Sequence, residues 1–386
     1  MKKLVILSVF LGILGGAVIA QETDYNIRSF NDQTTVRGKL KAAQAASKNG
    51  SGTVEFYNYA MDWLLRYFPN VEGNAEVKAA DDLAILLSAK LGEARYTAAG
   101  QNLWRVVENF SNPLARAEAL NSLGKVQATA FIPQICKLLN DLNLEGGKDS
   151  MQRERVAFGA VLALEGLADR QGYLPVFNAS TGWYTERTKK RAREALPKIL
   201  SNPTEPLLSV IRSSDNFSAK LTALQTLEAA DISTQEKAQG AVASLYAAWY
   251  TNTNIIADRM ILSRTRKLAL SMIRRYGTTD SSVYSGLDNS YKRGYDEDEK
   301  YAALLALSAL GSDEAVGLLS NYLYEMNTRL DRGTLTKSDE HIVRVLIPAL
   351  GDSRNKAAMA SLKTIEQKDW TGAVQKLAQT ALNKLQ

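Results

Sequence analysis

The sequence predicts an all-α protein: an α-solenoid of stacked antiparallel helix pairs, about eight repeats closed by terminal capping helices. Three observations predict it. From Thr53 onward almost all apolar residues recur at helical spacing. Alternating β-branched runs bounded by hairpin turns, the mark of strands, are nearly absent. A short pattern also recurs, in which an apolar helix runs into Leu-Gly and a second apolar face begins a few polar residues later. It stands out in Tyr301 to Leu323 (YAALLALSALGSDEAVGLLSNYL) and in Leu346 to Leu362 (LIPALGDSRNKAAMASL).

Residues 1–20 have a different character. Lys2 and Lys3 precede the apolar run Leu4 to Leu14, and Gly15, Gly16 and Val18-Ile19-Ala20 follow. A basic start, an apolar centre and small residues before a cut site form the pattern of a secretory signal cleaved after Ala20, with Gln21 as the new N-terminus. Its competitor is a retained membrane anchor, for which the run is short. The expected location is therefore the periplasm or the cell exterior, with no stable membrane span after cleavage.

Residues 21–52 are polar and end in SKNGSG, which predicts a flexible leader with one short helix over Val36 to Ala46. Residues 53–75 hold TVEFYNYAMDWLLRYFP, an apolar helix suited to cap the first repeat. Residues 76–366 carry the repeats. Helix endings fall at Leu91-Gly92, Leu123-Gly124, Gly166-Leu167, Tyr276-Gly277, Leu310-Gly311 and Leu350-Gly351, with degenerate versions at Ile199-Leu200 and Leu227 to Ala230. Glycine suits such endings because it accepts a left-handed backbone. The glycines are 32, 42, 111, 34 and 40 residues apart, too irregular for tetratricopeptide repeats. Asn112-Pro113 and Asn202-Pro203 read as a helix cap followed by proline at the first helical position. Residues 367–386 form the C-terminal cap, with Trp370, Val374, Leu377, Ala381 and Leu385 on one face.

Leu307-Ser-Ala-Leu310-Gly311-Ser-Asp313, Leu346-Ile-Pro-Ala-Leu350-Gly351-Asp352 and Ala119-Leu120-Asn-Ser-Leu123-Gly124 resemble the HEAT repeat, especially the short form named after phycobilisome lyases. The resemblance implies an armadillo-like helical array. It also implies a ladder of ion pairs between repeats, begun by Arg116, Arg155, Lys220, Arg266, Lys300 and Arg344, although partner aspartates are patchy. It carries fold rather than function, since proteins of this type include scaffolds and enzyme accessories alike.

Composition narrows the function. The chain is 45% hydrophobic and 23% charged, ordinary for a folded protein. Its formal charge of +6 includes Lys2 and Lys3 of the signal, and the mild remainder in an exported chain argues against nucleic acid. Cys136 is the single cysteine and His341 the single histidine. An intrachain disulfide is therefore excluded, and so are metal centres built on several His and Cys ligands. Ser122-Leu-Gly-Lys125 and Ser214-Asp215-Asn216 match two elements of penicillin-recognising serine enzymes, but the third, Lys-Thr-Gly, is missing. No cofactor fingerprint appears, and no catalytic residue is assigned.

Binding has more to work with. Gln171 to Thr188 (QGYLPVFNASTGWYTERT) places Tyr173, Phe177, Trp183 and Tyr184 where the repeat is interrupted, just before Arg187, Lys190 and Arg191 on one helical face. These seven are the candidate partner-binding residues. The rings read either as a contact loop or as filling for a gap left by a shortened helix, and both readings stay open here. Tyr246, Trp249 and Tyr250 read as core. The expected function is that of an exported, non-enzymatic scaffold that binds a protein partner. The alternatives are a module for an anionic cell-wall or surface polymer, or an accessory subunit of an envelope enzyme.

Overall fold

The computed structural model of the chain describes residues 21–144 and 149–386. The expected signal segment and its cut after Ala20 lie outside the described residues. Among the described residues there is no strand, and the chain forms twenty α-helices with short 3-10 turns between some of them. The all-α expectation holds. Contacts divide the chain into two compact units, Met1–Ser201 and Asn202–Gln386.

In the first unit the helices are α1 (residues 21–31), α2 (Val36–Lys48), α3 (Val54–Tyr67), α4 (Asn74–Glu93), α5 (Gly100–Asn109), α6 (Pro113–Lys125), α7 (Ile132–Leu144), α8 (Ser150–Leu167), α9 (Tyr173–Thr181) and α10 (Glu186–Ile199). Helices α2, α4, α6, α8 and α10 pack each on the next as one layer. Helices α3, α5, α7 and α9 each lie against the even-numbered helix that follows. The second unit repeats the scheme. Its helices are α11 (Thr204–Ser213), α12 (Phe217–Ala229), α13 (Thr234–Trp249), α14 (Ile256–Tyr276), α15 (Val283–Arg293), α16 (Glu297–Leu310), α17 (Asp313–Asp331), α18 (Lys337–Asp352), α19 (Ala358–Lys363) and α20 (Gly372–Leu385). Here the even helices form one consecutive layer and the odd helices another. The physical reason is the same in both units: a helix with one apolar stripe cannot bury it alone, so neighbours share a continuous core. At the far end Trp370, Val374, Ala381 and Leu385 are buried, and Leu377 is half-buried.

The expected flexible leader needs correction. Phe30 of α1 is fully buried and meets Phe56 and Trp63 edge-on, with ring centres 5.9 and 5.5 Å away. Lys39 of α2 donates from Nζ to the Phe30 carbonyl at 2.8 Å, and the same ammonium lies 4.6 Å from the centres of both the Phe30 and Trp63 rings. Burial lowers its pKa. A few apolar anchors at helical spacing (Phe30, Val36, Leu40, Ala43) pack this polar segment down, and α3 is covered on the side expected to be outermost.

The glycines of the repeated motif also act differently than expected. Gly277 and Gly311 do adopt positive φ at helix ends, 68° and 58°. Gly92, Gly124, Gly166 and Gly351 lie inside the last helical turn instead. A Cβ on Gly124 would stand 2.9 Å from the Ala163 backbone, and one on Gly351 would stand 2.7 Å from Ala381 Cα. These glycines let the backbones of neighbouring helices approach. The left-handed position is taken three residues later by Arg95, Gln127 and Arg354, at φ 51°, 57° and 53°. After Arg95 and Gln127 the next amide closes the helix end, Tyr96 N donating to Leu91 O and Ala128 N to Leu123 O, both at 3.1 Å.

Basic residues at helix starts follow a rule of their own. Lys39, Arg116 and Lys237 each donate to the carbonyl nine residues earlier (Phe30, Val107 and Glu228), at 2.8, 3.0 and 2.9 Å. Each closes the C-terminal end of the preceding helix, where carbonyls lack partners and the dipole favours a cation. Of the residues expected to begin an inter-repeat ladder, Arg266 does reach a carboxylate of the next even helix, Glu299, at 2.6 Å.

Candidate functional site

The seven residues chosen from sequence separate into two groups. Tyr173, Phe177 and Tyr184 are buried, at 1, 0 and 2% exposure, so their rings cannot meet a partner. The contact-loop reading is corrected on this point: Tyr173 to Thr181 is helix α9, packed against α7 and α10. Trp183 is half-buried and donates its indole N–H to the Leu142 carbonyl at 3.0 Å. The Tyr184 hydroxyl donates to Asn143 Oδ1 at 3.0 Å, and Asn143 Nδ2 donates to the Pro175 carbonyl at the same distance. Together they fasten α7, at Leu142 and Asn143, to α9 and the turn that follows it.

Arg187 and Lys190 are exposed on α10. Arg191 is half-buried and paired with Glu165 of α8, and has Glu194 at 3.7 Å. Arg187 has no carboxylate among the described residues; its guanidinium lies 5.1 Å from the centre of the Phe158 ring. That contact leads to an open hollow in the first unit.

The hollow is an open groove of about 600 Å³ between α6 and α8, with the first turn of α10 at one end. Leu114 and Ala117 line it from α6, and Met151, Phe158 and Leu162 from α8. Arg155 and Arg187 edge it. Leu114 and Met151 are 50 and 69% exposed, large apolar side chains without cover. The floor exists because α6 and α8 approach closely: a Cβ on Gly159 would stand 2.6 Å from the Ala117 carbonyl oxygen.

Chemically the groove is built for contact. Glu154 is occupied as an acceptor from Thr185 N at 3.1 Å and from Thr188 Oγ1 at 2.6 Å, which caps α10 from outside. Glu118 accepts from Asn121 at 3.3 Å and has Lys125 at 3.8 Å. Ser122 and Lys125 make no pair: Ser122 Oγ is buried and donates to the Ser88 carbonyl at 2.7 Å. Cys136 is buried, and that burial, with Asp169 nearby, pushes its thiol up to about 11. His341 is exposed in the first turns of α18. Among the described residues no group of His, Cys, Asp and Glu is placed to hold a metal ion, and no helix is long and apolar enough to cross a membrane.

The groove was missed in the sequence, yet it left a signal. Helix α8 contains VAFGAVLALEGL, apolar on every face. Its core stripe, Val156, Ala160, Ala163 and Leu167, accounts for one side. Met151, Phe158 and Leu162 form a second stripe that the fold leaves open. The core assignment of Tyr246 and Tyr250 also needs correction. Their rings stack 4.1 Å apart with 56 and 70% exposure, because they share the solvent side of α13 while Trp249 turns inward. Comparison with known proteins gives no identification: no family model matches the chain, and no curated protein matches it.

Proposed function

We propose that the chain is an exported HEAT-like repeat scaffold whose α6–α8–α10 groove receives a helical segment of a protein partner. One observation carries this reading. After α8 has buried one apolar stripe in the core, a second stripe lies open beside exposed Leu114, in a groove edged by two arginines that have no carboxylate among the described residues. A helix with apolar residues at i, i+3 or i+4, and i+7 fits such a surface, and acidic residues on its flank would meet Arg155 and Arg187. The alternating two-layer arrangement inside each unit supports the HEAT-like part, and the Lys2 to Ala20 pattern supports export to the periplasm or beyond.

The test places a photo-crosslinking residue at Met151 in the full chain in its native envelope, with an exposed control at Lys376 on α20. A discrete protein adduct from Met151, absent from Lys376 and lost in Leu114→Glu, is expected. Equal adducts at both positions, or adducts indifferent to Leu114→Glu in a chain that melts normally, would overturn the groove as the binding site. Intact mass of the same protein checks processing after Ala20.

A further inference from the structure

The second unit holds a polar cavity of about 270 Å³ whose walls carry three arginines and no carboxylate: Arg259 and Arg266 of α14, and Arg293 at the end of α15. Arg266 is occupied. Its Nε lies 2.6 Å and its Nη2 3.1 Å from the two carboxylate oxygens of Glu299, and the pair is shut from solvent, with side chains 8 and 0% exposed. Its guanidinium also lies 4.3 Å from the centre of the Trp249 ring. The indole N–H donates to Ser290 Oγ at 3.0 Å, so the ring is held on both its edge and its face.

Arg293 and Arg259 differ. Arg293 lies 5.6 Å from the same Trp249 ring centre, and Arg259 lies 5.7 Å from that of Tyr295. Neither has a carboxylate partner among the described residues. The acids around them are engaged elsewhere: Glu299 with Arg266, Asp296 with Lys267 at 2.8 Å, and Asp258 with the Thr253 hydroxyl at 3.3 Å. Two guanidiniums steadied by aromatic rings keep their N–H edges free, and that planar edge matches an oxyanion in two-pronged fashion. Asn252 lines the same cavity, and its amide makes no hydrogen bond among the described residues.

We propose that this cavity is a binding site for an oxyanion (a phosphate, sulfate or carboxylate group), held by Arg259 and Arg293 beside Trp249. The group arrives either as a free ion or attached to a saccharide. Thr251 joins the cavity to an adjoining open surface that carries the stacked Tyr246 and Tyr250 rings with Arg212 and Lys220. The apolar face of a sugar ring would rest on such exposed rings. The site is independent of the groove between α6 and α8, so its failure would leave that reading intact.

The test uses the full chain and follows Trp249 fluorescence and titration heat. The probes are inorganic phosphate, sulfate, a sulfated oligosaccharide and its desulfated form, against chloride at matched ionic strength. Saturable binding of at least one oxyanion probe is expected, with the optical signal lost in Trp249→Phe. Arg259→Gln with Arg293→Gln should weaken it about tenfold or more. Both side chains are exposed, so helicity and melting temperature should hold. Tyr246→Ala with Tyr250→Ala separates the sources: weakening confined to the sulfated oligosaccharide marks a saccharide-borne group, and no effect marks the free ion. No saturable binding beyond chloride for any probe, or unchanged affinity in the double arginine variant, would overturn the proposal.

Discussion

Trp183 donates its indole N–H to the Leu142 carbonyl, and Tyr184 hydrogen-bonds Asn143, so two adjacent rings secure helix α7 forty-one residues earlier. That makes them structural, and substitutions should read out as stability. Trp183→Ala is expected to cost about 3 kcal/mol, and Tyr184→Phe about 1 kcal/mol for one lost hydrogen bond. Thermal melts of the two variants check this; an unchanged melt for Trp183→Ala would return the ring to the surface. Glu299 gives a sharper case. Removing it as Glu299→Ala leaves Arg266 buried without a counter-charge, which is expected to cost about 3–5 kcal/mol by chemical denaturation. The types of these residues were legible in the sequence, but their directions were not. Tyr173 and Tyr246 look alike on a helical wheel, and only the neighbouring helix decides that one is 1% and the other 56% exposed.

Helix ends and helix approaches carry most of the information at the scale of elements. The Leu-Gly motif does fall at helix ends, while the role of its glycine depends on a neighbour that sequence spacing cannot show. Gly159 makes the point testable against Gly317. A Cβ on Gly159 would meet Ala117 backbone atoms at 2.6–3.0 Å, whereas nothing lies within 4 Å of one on Gly317 in α17. Gly159→Ala should therefore destabilise by about 1–3 kcal/mol, and Gly317→Ala should stabilise by about 0.5–1 kcal/mol. Equal shifts in melting temperature would refute the close-approach account. The start of α13 adds a pH dependence. Hydrogen bonds from Asn202 and from the side chain and backbone of Ser233 hold the Glu236 carboxyl down at about 2, below its ordinary 4.5. A depressed folded value means the carboxylate stabilises the fold above the ordinary value and loses that effect as pH falls from about 4.5 to about 2. Wild type and Glu236→Gln should differ most in melting temperature above pH about 5 and converge near pH 2. The helices themselves were legible from Thr53 onward. The leader was not, because Phe30, Val36, Leu40 and Ala43 are few and set among polar residues.

Across the whole molecule, the two units share a packing scheme and differ in the surfaces it leaves uncovered. The first unit leaves an apolar groove edged by Arg155 and Arg187, and the second a polar cavity with Arg259 and Arg293. The sequence pointed toward the first through Arg187, one residue of the right group, and away from the second, because Trp249 has the spacing of a core residue. Its ring is indeed half-buried, but two guanidiniums lie 4.3 and 5.6 Å from its centre. The different physics of the two surfaces gives a prediction in one chain. Exposed charges are screened over roughly 10 Å at 0.1 M salt and roughly 3 Å at 1 M. Oxyanion affinity at Arg259 and Arg293 should therefore fall about tenfold or more as potassium chloride rises from about 0.1 to about 1 M, both through screening and through chloride competition. Contacts of Leu114, Met151 and Phe158 depend on apolar area removed from water, which salt of that kind leaves largely intact. Crosslinking yield from Met151 should change less than about twofold over the same range, since only Arg155 and Arg187 at the edge are screened. Melting temperature of the full chain at both salt concentrations separates a general loss of fold from either effect. A Met151 adduct that vanishes at high salt while phosphate still binds would reverse the assignment of the two surfaces.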